Sequence, residues 1–286
     1  MDIYVSTSAL KNPFNLEEVL KKYYNLGIRN IELGSSHDYV ENVKEILEKY
    51  DDVNFVIHNY FPPKKETLAL NIASTDLEIR QQSIAHAKEA IDLCVQLKAP
   101  IYSIHAGMLV DPQKIEFFKG FTFTEGLYSE ELYEEVFKNL IDSCNQINEY
   151  AKERSIKFAV ETSGGHPSKF DYLLMTKINE FKRLFEVIDD DNFGVLLDIG
   201  HYNLSTYLYE KQDLIEFIQL FKRKIFQIHI HHNDGSDDQH LPPTARELEL
   251  LKLVGNNTLI VLESMKNSED GILMSLEELK SFPGGE

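Results

Sequence analysis

Eight times along this chain a short apolar run gives way to a longer segment whose apolar residues recur every three or four positions. The runs fall at 2–6, 28–33, 53–57, 101–104, 156–160, 193–197, 225–231 and 259–262. The longer segments fall at 15–26, 40–50, 75–97, 129–154, 177–188, 214–223, 244–254 and 275–280. The first set reads as strands and the second as amphipathic helices. Strands that alternate with helices pair in parallel, because each helix carries the chain back to the sheet's starting edge. Eight such units predict an α/β fold, a closed (β/α)8 TIM barrel, with residues 1–286 as a single domain. An open doubly wound sheet is the alternative, weakened because no glycine-rich phosphate loop follows the first strand. Ser74 or Thr75 is the expected N-cap of the third helix, with Glu78 placed for a capping box. Pro62-Pro63 rules out a helix after the third strand, and long loops are expected through Asp111-Pro112 and residues 120–126.

The strand ends carry the chemistry. Strands three to eight run into His58, His105, Glu161, Asp198, His231 and Glu263. In a parallel barrel these ends open onto one face, and that face carries the site. A lone histidine at a strand end is ordinarily a satisfied polar residue. Six consecutive strands closing on His, Glu or Asp form a pattern, since each group needs a partner once desolvated. The densest stretch is 225–241, IFQIHIHHNDGSDDQHL. Alternation puts His229 and His231 on one face, with His231 at the strand end and His229 one step deeper. His229 takes the same role if the strand end shifts, and His232 faces outward. Asp238 and His240 follow the turn at Asn233-Asp234-Gly235, and His201 lies one turn past the sixth strand, three residues after Asp198. A solvated loop explains Asp234, Asp237 and Asp238 but not an inward histidine closing an apolar strand. Imidazoles and carboxylates gathered this way suit a divalent cation, and mixed nitrogen and oxygen ligation favours Zn or Mn over Mg or Ca.

Charge narrows the partners. Lys and Arg number 29 against 47 Asp and Glu, a formal charge of −18. Such a field repels polyanions, which argues against a large nucleic-acid surface and is neutral on small substrates. Cys94 and Cys144 both sit in helical patterns without a CxxC, as buried free thiols of a reducing compartment do. The start, MDIYVSTSAL, reads as a strand rather than a signal peptide, and no apolar run reaches transmembrane length. A cytoplasmic protein that touches no membrane is expected; a homo-oligomer is left open.

Further pieces fall in order along the chain: His58-Asn59-Tyr60, Leu70-Asn71-Ile72, His105-Ala106-Gly107, Glu161-Thr162, Asp198-x-x-His201, His231-x-Asn233-Asp234, Asp238-x-His240-x-Pro242 and Glu263-Ser264. Together they resemble the xylose isomerase-like barrel superfamily, which includes endonuclease IV and the sugar phosphate isomerases and epimerases. The resemblance spans nearly the whole chain. It implies that Glu161, Asp198, His231 and Glu263 hold one metal in the manner of the isomerase branch, where the two glutamates also act as acid and base. It implies that His58 and His105, sharing Glu161, match ligands of a second metal in the endonuclease branch, and that His201, Asp238 and His240 match a third. One to three divalent ions per chain, Zn or Mn, follow from it.

Three functions compete. The first is a metal-dependent isomerase or epimerase that moves a proton through an enediolate of a sugar or sugar phosphate. The second is an endonuclease IV-type phosphodiesterase acting at abasic sites with three zinc ions, for which the full ligand set speaks. The third is a metal-binding barrel without catalysis, disfavoured by the intact Glu161 and Glu263. The charge favours the first, as does the loop 34–39, which has no Arg or Lys to enter a duplex. So does Pro62-Pro63, a departure from the endonuclease pattern. A second departure, His240-Leu241-Pro242-Pro243-Thr244-Ala245-Arg246, has prolines where many isomerase-like members have glycines, and predicts a stiffer loop. Lys64, Lys65, Lys169, Arg246 and Lys266 fall in or near the loops after the strands, where a phosphate or carboxylate would meet them; each by itself reads as a solvated surface charge. Tyr4, Tyr60, Phe61 and Tyr202 are candidates for a sugar platform, or for loop packing. His37 and His166 fall in the same loops, and His86 lies in a helix without a ligand partner in sequence.

Overall fold

The computed structural model describes residues 2–66, 68–116, 120–123 and 128–282. Its strands are β1 (Ile3–Ser6), β2 (Asn30–Leu33), β3 (Asn54–His58), β4 (Ile101–His105), β5 (Lys114–Glu116), β6 (Gly120–Thr122), β7 (Lys157–Glu161), β8 (Phe193–Asp198), β9 (Ile225–Ile230) and β10 (Leu259–Leu262). Its α-helices are α1 (Leu16–Asn25), α2 (Val43–Leu47), α3 (Leu77–Leu97), α4 (Glu130–Lys152), α5 (Ile178–Val187), α6 (Ile199–Leu208), α7 (Leu214–Phe221), α8 (Ala245–Leu250) and α9 (Glu269–Ser281). Eight strands pair in parallel and close into a barrel in the order β1-β10-β9-β8-β7-β4-β3-β2, which is the expected (β/α)8 architecture. Among the described residues no helix is long and apolar enough to cross a membrane.

Strand alternation divides the core in two. Phe55, Ile57, Tyr102, Ile104, Phe158, Val160, Val195 and Leu197 point outward and bury against the helices. Tyr4, Val56, Ile101, Ala159, Leu196 and Val261 point inward and plug the barrel floor. Two residues further along the same strands, on the same inward parity, stand His58, Ser103, Glu161, Asp198 and Glu263. The floor thus supports a polar layer directly above it. Burial of each apolar side chain contributes about 1.5–3 kcal/mol, which sets a rigid base for groups that would not fold inward alone. In β9 the register steps from Ile225 to Gln227 opposite Val195 and Leu196, a bulge at Phe226. That extra residue reverses the parity set by Ile225 and turns Gln227 and His229 into the barrel, as bulges beside functional sites do.

Several elements differ from the sequence expectation. The N-cap of α3 is Asp76, whose carboxylate accepts from the backbone of Glu78 and Ile79, not Ser74 or Thr75. Ser74 instead donates to Asp111. Helix α6 was not expected. It begins directly after β8, capped by Asp198, and residues 199–205 are buried on all sides, so its sequence carries no amphipathic period. Helix α9 starts six residues before the expected 275, where the Ser268 hydroxyl accepts from Gly271 N–H. Part of the loop expected at 120–126 forms β6, antiparallel to β5; residues 124–126 lie outside the described residues.

Two loops at the C-terminal mouth are locked by one side chain. Buried Asn71 donates to Met108 O and Asp111 Oδ1, and its Oδ1 accepts from the backbone of Ala73 and Met108. Gly107, at φ 106°, lets the backbone after His105 wrap this amide.

Candidate metal centre

The nine sequence candidates converge at the barrel mouth in three adjoining groups. Glu161, at the end of β7, is fully buried and shared by two of them. Its Oε2 lies 3.3 Å from His58 Nε2 and 3.2 Å from His105 Nδ1. Its Oε1 lies 3.2 Å from His201 Nδ1 and 3.7 Å from His229 Nδ1. His229 Nδ1 is also 2.8 Å from Glu263 Oε2 and 3.7 Å from Asp198 Oδ2. The third group gathers around Asp238: its Oδ2 is 3.3 Å from His201 Nε2 and 3.2 Å from His240 Nε2.

His231 stands between two groups. Its Nε2 lies 2.9 Å from Asp198 Oδ1, yet its ring stacks on His240 with centroids 3.9 Å apart. It clusters with His201, Asp238 and His240, and the place beside Glu161, Asp198 and Glu263 is taken by His229. The arrangement differs from the expected grouping because the bulge in β9 aims residue 229 at the centre of the mouth. Residue 231, one pleat higher, meets the rim. Two glycines admit these rings. A Cβ on Gly200 would lie 2.5 Å from His231 Nδ1, and one on Gly164 would fall 2.4 Å from His201 Cγ.

Backbone carbonyls orient the outer imidazoles. His201 Nδ1 sits 2.9 Å from Thr162 O, and His240 Nδ1 sits 3.0 Å from Glu263 O. A carbonyl only accepts, so both Nδ1 atoms carry a proton and both Nε2 atoms face Asp238, where their lone pairs become free once a cation takes the place of the proton. His240 holds this pose at φ 47°, a left-handed backbone that costs a non-glycine residue about 1–3 kcal/mol.

These groups fit a divalent cation. Both oxygens of Glu161, Nδ1 of His229, Nδ1 of His231 and Oδ1 of Asp238 are buried without an aligned hydrogen bond. Buried polar atoms are nearly always satisfied, and cations at these points would satisfy those facing the groups. Burial would raise the Glu161 carboxyl, but the charges of His105, His58 and His201 hold it down to about 2. Burial likewise opposes ionisation of Glu263, and His229, His240 and His58 hold its carboxyl well below the usual range. Burial works against a charged His240, yet Asp238 pushes it up to about 9. So much buried carboxylate demands positive charge, and metal ions supply it without protonating the ligands. Access is from one side: the His105 side chain is 36% exposed and Asp238 17%, against 0–1% for Glu161, Asp198, His229 and His231.

Other candidates lie away from the centre. Tyr4 is in the barrel floor. Tyr202 lies outside the barrel, packed on Phe217 with its hydroxyl on Gln212. Phe61 is fully buried, and Tyr60 stacks on buried His86. His37 is buried between Pro13 O and Thr7 Oγ1. Exposed His166 caps the short turn at Pro167–Tyr172, and His232 faces out onto Glu247. Lys64 pairs with Glu89 on α3, and Arg246 donates to Asn203. Lys65 and Lys266 are exposed and Lys169 half-exposed. Glu32, Gln227 and Ser103 were missed, though fully buried beneath the metal groups. The parity of β2 could have found Glu32: apolar Ile31 and Leu33 flank it and face the helices.

A family described as xylose isomerase-like TIM barrel matches residues 21–280. Uncharacterized protein MJ1311 of Methanocaldococcus jannaschii is 26% identical over 250 residues, 85% of this chain and 75% of that protein. Apurinic-apyrimidinic endonuclease 1 of Plasmodium falciparum is 25% identical over 207 residues, 69% of this chain and 30% of that protein. Among solved structures, a D-tagatose 3-epimerase-like protein superposes with a TM-score of 0.73 at 24% identity, covering 99% of this chain and 97% of that one. The IOLI protein with a bound zinc atom superposes at 0.67 and 18% identity, covering 99% and 96%. Both structural likenesses are statements about the fold.

Proposed function

The chain belongs to the xylose isomerase-like TIM barrel family, and from that premise we propose that it is a divalent-metal-dependent isomerase or epimerase of a sugar or sugar phosphate, acting through a single domain. One observation carries the reading: Glu161 and Glu263, both buried, converge with Asp198 and His229 in a single group at the floor of the mouth. Two ionised carboxylates at one point can take a proton from one sugar carbon or oxygen and return it at the neighbouring position. Their depressed pKa keeps both unprotonated at neutral pH, ready to accept.

We assign His58, His105, Glu161, Asp198, His201, His231, Asp238, His240 and Glu263 as the metal-holding residues, with one to three ions of Zn or Mn. A bound divalent ion would polarise the substrate carbonyl and lower the cost of the charge that proton removal creates. The chain's own groups do the rest. Glu161 and Glu263 move the proton, the barrel floor excludes water from below, and the Asn71 latch holds the loops after β3 and β4. The epimerase-like and zinc-bound barrels of the same fold support the reading, as does the charge of −18.

The test is solvent deuterium exchange into a panel of sugars and sugar phosphates. The metal-loaded wild type should place deuterium at one carbon, and Glu161→Gln and Glu263→Gln should each abolish it while the near-ultraviolet spectrum stays native. Near-normal exchange by either variant sinks the acid/base pair. One observation favours a second reading, an apurinic endonuclease: the groups around His105 and Asp238 offer two positions beyond what a single-ion isomerase uses. Metal-dependent cutting of duplex DNA carrying one abasic site, lost in Glu161→Gln, would put that reading first.

A further inference from the structure

Beneath the metal groups lies a carboxylate that none of the chemistry above uses. Glu32, on β2, is fully buried inside the barrel. Its Oε2 lies 2.7 Å from His229 Nε2 and accepts from Gln227 Nε2 at 2.6 Å. Those two nitrogens, 3.3 Å apart, converge on the same oxygen. Gln227 Oε1 accepts from Ser103 Oγ at 3.5 Å, and Ser103 Oγ lies 3.1 Å from His58 Nδ1. The direction of this chain is dictated at one end, because a carboxylate only accepts. His229 must therefore carry a proton on Nε2, so Nδ1, 2.8 Å from Glu263 Oε2, is the nitrogen whose lone pair becomes free once a cation takes the place of its proton. Gln227 must present its NH2 to Glu32 and its oxygen to Ser103. The Ser103 hydroxyl then points at Gln227, so its oxygen accepts from His58 Nδ1–H, and the His58 Nε2 lone pair faces Glu161.

We infer that Glu32 is a positioning residue that selects the ligating tautomer of two histidines, His229 directly and His58 through Gln227 and Ser103, and that His229 Nδ1 is itself a metal ligand. The inference rests on the metal reading proposed above. Burying a carboxylate in an apolar barrel is costly unless it is paired, and all its partners lead to the ion groups. Carboxylates behind metal-binding histidines commonly raise affinity about 10–100-fold.

The test uses the full chain, stripped with chelator and titrated with Zn2+ or Co2+ by calorimetry, with histidine-selective 15N NMR before and after loading. The metal-loaded wild type should show His229 as the Nε2–H tautomer and His58 as the Nδ1–H tautomer, with metal-dependent shifts at His229 Nδ1 and His58 Nε2. Glu32→Gln keeps the volume but lets an amide NH2 face His229. It should weaken the tightest ion about 10–100-fold and shrink the metal-induced rise in Tm, while Glu32→Asp recovers part of both. Ser103→Ala should disturb the His58 tautomer and leave that of His229 intact. A wild type in which His105 and His201 shift on loading but His229 does not would overturn this inference and leave the metal reading standing. Wild-type affinity in folded Glu32→Gln would do the same. No ion bound by the wild type would overturn both. The tautomers are read in the wild type, so they decide the matter even if a variant fails to fold.

Discussion

Gly200→Ala should behave unlike any other helical glycine-to-alanine change in this chain. Gly200 is the second residue of α6, and in a helix Ala is favoured over Gly by about 1 kcal/mol. Its Cβ, however, would sit 2.5 Å from Nδ1 and 2.6 Å from Nε2 of His231, over the face of the ring. Ordinary contact needs about 3.5–4.0 Å, so the ring must move by roughly 1 Å or more. It has nowhere to go: His231 is fully buried, held at 2.9 Å by Asp198 and stacked at 3.9 Å on His240. Overpacking of this kind costs about 1–3 kcal/mol, which outweighs the helix gain and leaves a net loss of up to about 2 kcal/mol. Gly271→Ala in α9 is the matched control, since its nearest neighbour is Ser268 Oγ at 3.4 Å; it should be neutral or stabilising by up to about 1 kcal/mol. Urea denaturation of both metal-free variants measures the difference, and zinc calorimetry asks whether the displaced ring also loosens the ion beside it. If Gly200→Ala matches Gly271→Ala in stability and binds zinc as the wild type does, the close packing of His231 on α6 is refuted.

Three other outcomes follow from the geometry. Burial, opposed by the hydrogen bond to the Pro13 carbonyl, lowers His37 from 6.5 to about 4, and burial lowers His86 likewise. The unfolded chain then binds more protons at these two sites between pH 6.5 and 4, so their contribution to stability is full above 6.5 and falls on acidification, by up to about 3 kcal/mol per histidine. Urea midpoints at pH 7.5 and pH 5 test this, and His86→Phe should flatten the slope. Chelation should lower Tm, and zinc at about 100 times Kd should restore about 2.7 kcal/mol; a scan unchanged by chelator and metal would count against bound ions. Asn71→Ala removes four hydrogen bonds that tie the loops after β3 and β4, so amide exchange should quicken at Ala73 and Met108 while β7 to β10 stay protected.

Much of the molecule was legible before folding. The eight strands lie within two residues of their expected bounds, because a buried parallel strand needs a continuous apolar run and little else in the chain offers one. What went unseen was local structure without a sequence period. The first seven residues of α6 are all buried, so nothing there separates a wet face from a dry one, and the expected N-cap of α3 was passed over because Asp76 was better placed to reach two amides. Aromatic residues near strand ends were poor guides too. Tyr4 has inward parity but sits at the base of its strand, and Tyr202 is turned away from the mouth by α6.

Residue types and their order were enough to determine the barrel and the convergence of His58, His105, Glu161, Asp198, His201, Asp238, His240 and Glu263 at one mouth, because parallel strands must all end on the same face. Tertiary structure alone decided which histidine meets which carboxylate. Sequence parity says that His229 and His231 point the same way, but their height depends on a one-residue bulge in β9. Height in turn decides that His229 reaches Glu263 and Glu161 while His231 stacks on His240. The partnership of Glu32 with residues almost two hundred positions away is of the same kind: it exists only because closure of the barrel brings the inward side chains of β2 and β9 together, a relation no local pattern encodes.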